Sequence, residues 1–192
     1  MDIIMIRHGE SQANVDRVFG TFDTPLSKRG IEQIRTTRYN LEEYGFSKVY
    51  YSPFTRTKET LHYLGLKGIE EPRIQEYDFG IFSGLTYKEI ESRYPKEYEE
   101  WIEKPNSYII PKGESLEIVY RRVVDFLEEI VQQGEDTILV THAGVIRLAL
   151  CWIFDDIDNF FRFKIENGSI STIAIEDNYK FIKKVNHTPR LR

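Results

Sequence analysis

The chain has 192 residues, with 41% hydrophobic, 14% aromatic and 30% charged residues, a composition typical of a globular protein. This length suits one α/β domain, which we expect to span residues 1–192. The net charge of −5 argues against nucleic acid as a partner, and no stretch approaches the roughly 20 apolar residues of a membrane span. The single cysteine, Cys151, excludes an internal disulfide and a cysteine-rich zinc site, so we expect a cytoplasmic protein.

The N-terminal stretch combines a short apolar run with polar residues that can carry chemistry. Residues 3–6 are too few for a helix but suit a strand buried on both faces of a parallel sheet. Arg7 and His8 follow at the carboxyl end, where open α/β sheets bind ligands, and Gly9 permits a sharp turn. A histidine can form a covalent intermediate and a guanidinium can bond phosphate oxygens, so the pattern indicates phosphoryl transfer to His8. For this tripeptide alone, a capped strand end with a solvated arginine is an equally good interpretation.

Helix signals follow along the chain. Ser27 predicts the cap of one helix, and Ser52 with Pro53 predicts the cap and first position of a second helix, which Gly65 closes. Ser115 opens the longest helix, which ends at a glycine. The apolar residues that share one face of it are Leu116, Val119, Val123, Phe126, Leu127 and Ile130.

Short apolar runs predict further strands between and after these helices. The runs are residues 48–51, 73–75, 137–141, 161–165, 169–176 and 179–186. Asp177 and Asn178 join the last two as a hairpin turn. The alternation of strands and helices predicts a mixed sheet between helical layers.

The segment 84–112 predicts a small helical lid. Thr86 and Glu89 have the spacing of a capping box, and Pro95 interrupts the helical stretch that follows. The aromatic residues of this segment include Tyr87, Tyr94, Tyr98 and Trp101. They suit a substrate with an uncharged or aromatic body, although packing of the lid onto the domain is a slightly better interpretation of them.

Polar side chains follow four of the predicted strands. Arg7 and His8 follow the first strand, and Arg56 lies after the second, in the first turn of a helix whose positive end favours an anion. Glu76 follows the third strand and His142 the fourth. Each has a structural interpretation of its own, but the shared position at strand ends favours one crevice that holds all five.

Six motifs strengthen this interpretation and together span essentially the whole chain. They are R-H-G-E-S-Q-A-N (7–14), G-T-F-D-T-P-L-S (20–27), S-P-F-T-R-T-K-E-T (52–60), E-Y-D-F-G (76–80), G-E-S (113–115) and V-T-H-A-G (140–144). In this order they resemble the motifs of the histidine phosphatase superfamily, also called phosphoglycerate mutase-like. The resemblance implies a three-layer α/β/α sandwich with a mixed, mostly parallel central sheet, which agrees with the pattern of elements.

The resemblance also implies roles for individual residues. His8 would be the phosphorylated nucleophile and Glu76 the proton donor. The residues that would bind the phosphoryl group or line its entrance are Arg7, Asn14, Arg56, His142, Gly20 and, as a weaker candidate, Ser11. Phosphoryl transfer needs fixed positive charge, which we expect from the two arginines and His142.

The implied function is hydrolysis of a small-molecule phosphate monoester through a phosphohistidine, by an enzyme of the histidine acid phosphatase type without cofactor or metal. Related phosphatases act on α-ribazole phosphate, sugar phosphates, phosphoserine or many esters. A phosphoglycerate mutase-type phosphomutase is an alternative, but those enzymes have a longer segment before G-E-S and a lysine in place of Tyr87. The sequence leaves the substrate and the oligomeric state open, with a homodimer as one option.

Two further alternatives belong to other classes of protein. A metal-dependent hydrolase would use His8 and His142, but no metal-binding motif accompanies them, and Arg7 and Arg56 would repel a cation. A non-catalytic module that binds a phosphorylated ligand would fit a degenerate site. Here every position of the motifs holds the residue type expected for catalysis.

Overall fold

A six-stranded sheet lies at the centre of the molecule. The computed structural model describes residues 1–177 and 179–189, and its strands are β1 Asp2–Arg7, β2 Lys48–Tyr51, β3 Ile69–Glu70, β4 Thr137–Thr141, β5 Ile170–Glu176 and β6 Tyr179–His187. The order across the sheet is β3-β2-β4-β1-β5-β6. Strands β3, β2, β4 and β1 pair in parallel, whereas β5 is antiparallel to both of its neighbours. The mixed, mostly parallel sheet expected from the sequence is confirmed.

Helices cover both faces of this sheet. In the described part of the chain the α-helices are α1 Gln12–Asp16, α2 Lys28–Asn40, α3 Thr55–Leu64, α4 Tyr87–Arg93, α5 Pro95–Glu103, α6 Leu116–Gln133 and α7 Ala143–Phe154. Helices α6 and α7 contribute to one hydrophobic cluster, and α2 and α3 contribute to a second. The predicted α/β/α layering is therefore confirmed. None of the helices in the described ranges is both long and apolar enough to cross a membrane.

Strand β1 joins the two clusters because successive side chains of a strand point to opposite faces. Ile3 and Met5 pack in the cluster of α6 and α7, and Ile4 and Ile6 pack in the cluster of α2 and α3. All four side chains are almost completely buried. The expected strand buried on both faces is confirmed, and its burial fixes the position of the loop that follows Arg7.

Most of the predicted helix boundaries are also confirmed. The Ser27 hydroxyl accepts a hydrogen bond from the Gly30 amide at the start of α2, and the Thr86 capping box begins α4. Pro95 is the first residue of α5, as its lack of an amide hydrogen favours. Helix α6 begins after Ser115, ends at a glycine, and buries all six apolar residues that the pattern placed on one face.

Two predictions around residues 52–75 are wrong. Ser52 does not cap α3, which begins at Thr55 with Phe54 in the cap position and no side-chain cap. The third strand is β3, and the segment predicted as a strand contains a 3₁₀ helix, Pro72–Ile74. The helical turn forms here because Pro72 occupies its first position and the Glu71 carboxylate accepts a hydrogen bond from the Arg73 amide.

The predicted strand 161–165 is also wrong. A 3₁₀ helix, Ile157–Arg162, occupies this region and has no strand after it until β5. It begins where the Asp156 carboxylate accepts a hydrogen bond from the Asp158 amide. The hairpin of β5 and β6 has Glu176 opposite Tyr179, and Asn178 of its predicted turn lies outside the described residues.

The hydrophobic cluster against α6 predicts that truncation of Phe126 greatly lowers the free energy of unfolding. This side chain is fully buried and its ring meets the Tyr50 ring edge-on, with centroids 5.1 Å apart. We expect Phe126→Ala to lower the free energy of unfolding by about 3–5 kcal/mol, measured by urea denaturation. Ile118→Ala on the same helix is the control, because Ile118 is 39% exposed and should cost less than about 1 kcal/mol. Equal losses in the two variants would contradict this packing.

Candidate active site

The carboxyl ends of three adjacent parallel strands meet at one edge of the sheet. Strands β2, β4 and β1 lie side by side, and the chain leaves them at Ser52, His142 and His8. The rings of His8 and His142 lie edge to face with centroids 5.2 Å apart. In the first turn of α3, the Nε of Arg56 donates a hydrogen bond to His8 Nε2 at 3.3 Å. The structure therefore brings these predicted residues together.

The loop after β1 approaches the start of α2 so closely that two glycines are required. A Cβ atom on Gly9 would clash with the Gly30 carbonyl, and one on Gly30 would clash with the Glu10 carbonyl. The Ser27 amide and hydroxyl both donate to Glu10, which ties the loop to the helix. The position of His8 is thus set by backbone packing on both sides of the loop.

Two hydrogen bonds determine which nitrogen of His8 carries the proton. Nδ1 lies 2.7 Å from the Gly9 carbonyl oxygen, which can only accept, so Nδ1 carries the hydrogen. Nε2 accepts from Arg56 and therefore presents its lone pair toward that guanidinium. A neutral ring whose lone pair lies at Nε2, here hydrogen-bonded by Arg56, is the form that a nucleophile requires.

Burial and the two arginines control the charge of this ring. His8 is 3% exposed, and its pKa lies well below the usual value because burial, then Arg56, then Arg7 oppose a positive charge on it. Arg56 is itself 4% exposed, and burial lowers its pKa to about 10, with Arg7 opposing and Glu76 favouring its charge. At neutral pH the site therefore holds charged guanidinium groups beside an uncharged His8.

His142 is also neutral, which corrects the expectation that it supplies a positive charge. Its ring is completely buried, and burial, followed by the charges of Arg56 and Arg7, holds its pKa well below the usual value. It is the N-cap residue of α7 but makes no side-chain capping bond there. Its Nε2 instead lies 2.7 Å from the Ser52 hydroxyl. In this arrangement His142 is a neutral hydrogen-bonding group.

Two buried nitrogens of this cluster have no hydrogen-bond partner among the described residues. They are Arg7 Nε and His142 Nδ1. Buried donors are almost always paired in native proteins, so these unpaired nitrogens are candidates for bonding the acceptor atoms of a ligand. The first amides of α7, directly after His142, also lack acceptors within the helix. These groups make the cluster suitable for a group with several acceptor oxygens and negative charge.

Glu76 reaches the cluster from a loop and not, as predicted, from the end of a strand. It follows the 3₁₀ helix Pro72–Ile74, and its carboxylate interacts electrostatically with both Arg7 and Arg56. The Arg122 guanidinium on α6 holds this loop by donating to three of its carbonyl groups, including that of Glu76 at 3.2 Å. A Cβ atom on Gly144 would clash with Glu76 Oε1, so the carboxylate lies against the start of α7.

The remaining predicted residues surround the His8 loop. Ser11 is buried as the cap of α1, and its amide and hydroxyl both donate to Asn14 Oδ1 at 3.0 Å. Asn167 Nδ2 donates to the same oxygen and to the His8 carbonyl. The amide oxygen of Asn14 is fully occupied by these donors, which leaves its nitrogen for a ligand. A Cβ atom on Gly20 would lie 3.7 Å from Arg56 Nη1, so Gly20 also borders the cluster.

An aromatic cavity of about 190 Å³ extends from Glu76. Apart from Glu76 and the start of α7, its walls include Phe19, Tyr77, Phe79, Tyr87, Trp101, Phe160, Phe161 and one cation, Arg147. The Tyr87 and Trp101 rings stack with centroids 5.9 Å apart, and Trp101 also meets Phe82 and Phe19. The aromatic residues of α4 and α5 therefore pack on the domain and line this cavity at the same time.

Sequence patterns did not reveal several of these residues. Arg122, Asn167 and Arg147 lie far along the chain from the groups that they contact or border, and none belongs to a recognisable motif. The sequence pattern at Ser52 predicts a helix cap and gives no sign of its hydrogen bond with His142. Within the described ranges, no group of three or more histidine, cysteine, aspartate or glutamate side chains is arranged to hold a metal ion.

Comparison with known proteins assigns the chain to a family. The model of the histidine phosphatase superfamily (branch 1) matches residues 3–188. The chain belongs to this superfamily. It is 34% identical to phosphoserine phosphatase 1 of Hydrogenobacter thermophilus, over 98% of this chain and 93% of that one.

The chain is also similar to two other phosphatases, one in structure and one in sequence. The crystal structure of the α-ribazole phosphatase from Shigella flexneri has a TM-score of 0.90 and 27% identity, and covers 98% of this chain and 97% of that chain. Fructose-2,6-bisphosphatase of Saccharomyces cerevisiae is 32% identical over 76% of this chain, which corresponds to only 32% of that longer protein. The predicted fold and the predicted class of activity, hydrolysis of a phosphate monoester, are confirmed at the level of the superfamily.

The lowered pKa values predict how the stability of this phosphatase depends on pH. In the unfolded chain His8 and His142 bind protons below about pH 6.5, whereas in the folded protein they stay neutral to lower pH. Stability from these residues is therefore complete above about pH 6.5 and is lost as the pH falls below that value. Between pH 7 and 5 we expect a loss of about 1–2 kcal/mol per histidine, measured by urea unfolding.

Histidine variants separate this effect from that of the carboxylates. His8→Gln and His142→Gln should each make the free energy of unfolding less dependent on pH in this range. His62→Gln is the control, because His62 is exposed on α3 and should leave the dependence unchanged. The same pH dependence in the wild type and in all three variants would contradict the depressed pKa values.

Proposed function

We propose that this phosphatase transfers the phosphoryl group of its substrate to His8 Nε2 and then to water, as in the histidine acid phosphatase type of reaction. The observation that carries this proposal is the state of His8. Its proton is held at Nδ1 by the Gly9 carbonyl, and its Nε2 lone pair faces the Arg56 guanidinium. A phosphoryl group held by Arg56 would lie in line for attack by that lone pair.

Positive charge around the phosphoryl group is the main requirement of the first step. A phosphate monoester dianion repels nucleophiles, and the negative charge moves toward the leaving oxygen in the transition state. We assign Arg7 and Arg56 as the cations that bind the phosphoryl oxygens. The Asn14 amide and neutral His142 would add hydrogen bonds, Gly20 would border the entrance, and Ser11 would act by orienting Asn14.

Glu76 would move the proton in both steps. In the first step the P–O bond breaks as the N–P bond forms, and the carboxyl group of Glu76 donates its proton to the departing alkoxide. In the second step Glu76 takes a proton from the water that attacks phosphorus, and the N–P bond breaks to release phosphate and restore the His8 lone pair. The bound phosphate dianion repels the ionised carboxylate and so favours the protonated form needed at the start.

The aromatic cavity would hold the rest of the substrate. It begins at Glu76, where the leaving oxygen must be, and its walls are mostly apolar. We assign the segment 84–112 as a helical lid within one domain, because Tyr87 and Trp101 of this segment form part of the cavity wall. A monophosphate of a small metabolite with an uncharged or aromatic body suits this space. The free, buried Cys151 agrees with a reducing compartment, and we place the reaction in the cytoplasm.

The nucleophile can be tested by a single substitution. We expect His8→Ala to abolish hydrolysis of every phosphate monoester, including p-nitrophenyl phosphate, whose leaving group needs little protonation. His62→Ala, on the exposed side of α3, is the matched control and should retain wild-type activity. In the wild type, a reaction quenched in alkali should yield a phosphohistidine at position 8 by mass spectrometry. Normal turnover of p-nitrophenyl phosphate by His8→Ala would exclude the proposed mechanism.

The proton donor can be tested by comparing leaving groups. Glu76→Gln should lower kcat by roughly 10²–10⁴ for an alkyl phosphate and much less for p-nitrophenyl phosphate. Gly144→Ala should show the same dependence on the leaving group to a smaller degree, because its Cβ atom would displace the carboxylate of Glu76. An equal loss with both substrates in Glu76→Gln would contradict the role of this residue as the acid.

A further inference from the structure

The hydrogen bond between Ser52 and His142 has a consequence for the proposed reaction. Both residues are completely buried, and the Ser52 hydroxyl lies 2.7 Å from His142 Nε2. The backbone of Ser52 is fixed on both sides, because its amide donates to the Val140 carbonyl and its carbonyl accepts from the Thr57 hydroxyl. The hydroxyl is therefore presented to the ring from a rigid position at the end of β2.

The partners of these groups decide which of them donates. Within the described residues the Ser52 hydroxyl has His142 as its one partner, and His142 Nδ1 has none. If Nε2 carried the proton, the hydroxyl hydrogen would be buried without an acceptor, which is unfavourable. If the hydroxyl donates to Nε2, its hydrogen is satisfied and the ring proton lies on Nδ1. The second arrangement is favoured because it leaves fewer buried groups unpaired.

We propose that Ser52 is a positioning residue that holds His142 in the Nδ1–H tautomer, so that the neutral ring donates a hydrogen bond to a phosphoryl oxygen. This inference rests on the proposed function. In the other tautomer Nδ1 would present a lone pair to the phosphoryl oxygens and repel them. A single proton position on one ring thus decides whether His142 attracts or opposes the substrate.

The groups around His142 keep its ring neutral and restrict its orientation, so the tautomer decides which nitrogen can donate. The charged and titratable groups around the ring are Arg56, His8, Arg7 and Arg122, and together with burial they keep its pKa low. Before an anion binds, the ring is therefore neutral at neutral pH, and its tautomer decides which nitrogen donates. The rings of His8 and Phe54 pack edge-on against it at 5.2 and 5.1 Å, so its orientation is also restricted.

The two histidines then have opposite roles, and one hydrogen-bond partner of each ring determines its tautomer. The Gly9 carbonyl places the proton of His8 on Nδ1 and leaves a lone pair at Nε2 for attack. The Ser52 hydroxyl occupies the lone pair of His142 at Nε2 and leaves a hydrogen at Nδ1 for binding. The proposed transfer to His8 requires a lone pair on one ring that attacks phosphorus and a hydrogen on the other ring that binds a phosphoryl oxygen.

The tautomer can be measured directly in the wild-type protein. In a ¹⁵N NMR spectrum of the ring nitrogens at pH 7.5, assigned with His142→Gln, we expect His142 to show a protonated Nδ1 and an unprotonated Nε2. The opposite pattern would overturn the inference, whatever the behaviour of any variant.

Substitutions of Ser52 test the consequence for binding. Ser52→Ala should shift His142 toward the Nε2–H tautomer, lower kcat/KM for p-nitrophenyl phosphate by about 10–10²-fold, and weaken inhibition by vanadate by a similar factor. Ser52→Thr keeps the hydroxyl and should restore the tautomer and most of the activity. Ser169→Ala is the matched control, because Ser169 is equally buried and its hydroxyl has no partner in the described part of the chain.

The outcomes distinguish this inference from the proposed function. An unchanged tautomer and unchanged kcat/KM in Ser52→Ala, together with an inactive His8→Ala, would overturn the role of Ser52 alone. Full activity of His8→Ala would overturn the proposed function itself. A loss of activity in Ser52→Ala without a change in the ring nitrogens would also count against positioning, because a purely structural defect does not move the proton.

Discussion

The burial of positive charge beside uncharged imidazole rings is the constraint on which the rest of this structure depends. Arg56 is almost completely buried next to His8, and burial together with the charges of the arginines keeps both site histidines neutral. Such an arrangement is costly without a bound anion, because guanidinium charges lose hydration and repel one another. It becomes favourable when a phosphoryl dianion binds. The site is therefore preorganised for the charge that appears in the transition state.

Holding these groups in place is the task of the sheet and of the helices packed on it. The loop after β1 is fixed by backbone contacts at Gly9 and Gly30 that no side chain would permit. The Glu76 loop, which has no strand to position it, is held by the Arg122 guanidinium on the longest helix. Rigid elements thus support both the proposed nucleophile and the proposed acid, which matters because small displacements of reacting groups greatly reduce rates.

The part of the site that contacts the substrate body follows a different principle. The cluster of His8, Arg56 and His142 is polar and depends on specific hydrogen bonds, whereas the cavity beyond Glu76 is aromatic and is lined by one cation, Arg147. Aromatic walls accept many shapes, and apolar contacts discriminate weakly between similar groups. The superfamily relatives named above include phosphatases of phosphoserine, α-ribazole phosphate and fructose 2,6-bisphosphate.

The sequence by itself determined the strands and helices whose signals are local. The buried run of β1, the apolar face of α6, the caps at Ser27 and Thr86, and the grouping of His8, Arg56 and His142 were predicted from spacing and motif. The strand predictions for residues 73–75 and 161–165 are wrong because a side-chain cap at the start of each 3₁₀ helix favours the helical turn over an extended chain. Such competition between local conformations is decided by single hydrogen bonds, which hydrophobic patterns do not encode.

Only the tertiary structure decided the protonation and orientation of the site. His142 was expected to be a cation, but its charge depends on burial and on arginines from other parts of the chain. The partner of Ser52 lies 90 residues away in sequence, so the S-P pattern indicated a cap instead. Local sequence specifies which residue types are present at strand ends. The distances between those ends, and hence the charge and the tautomer of each group, exist only once the sheet has brought them together.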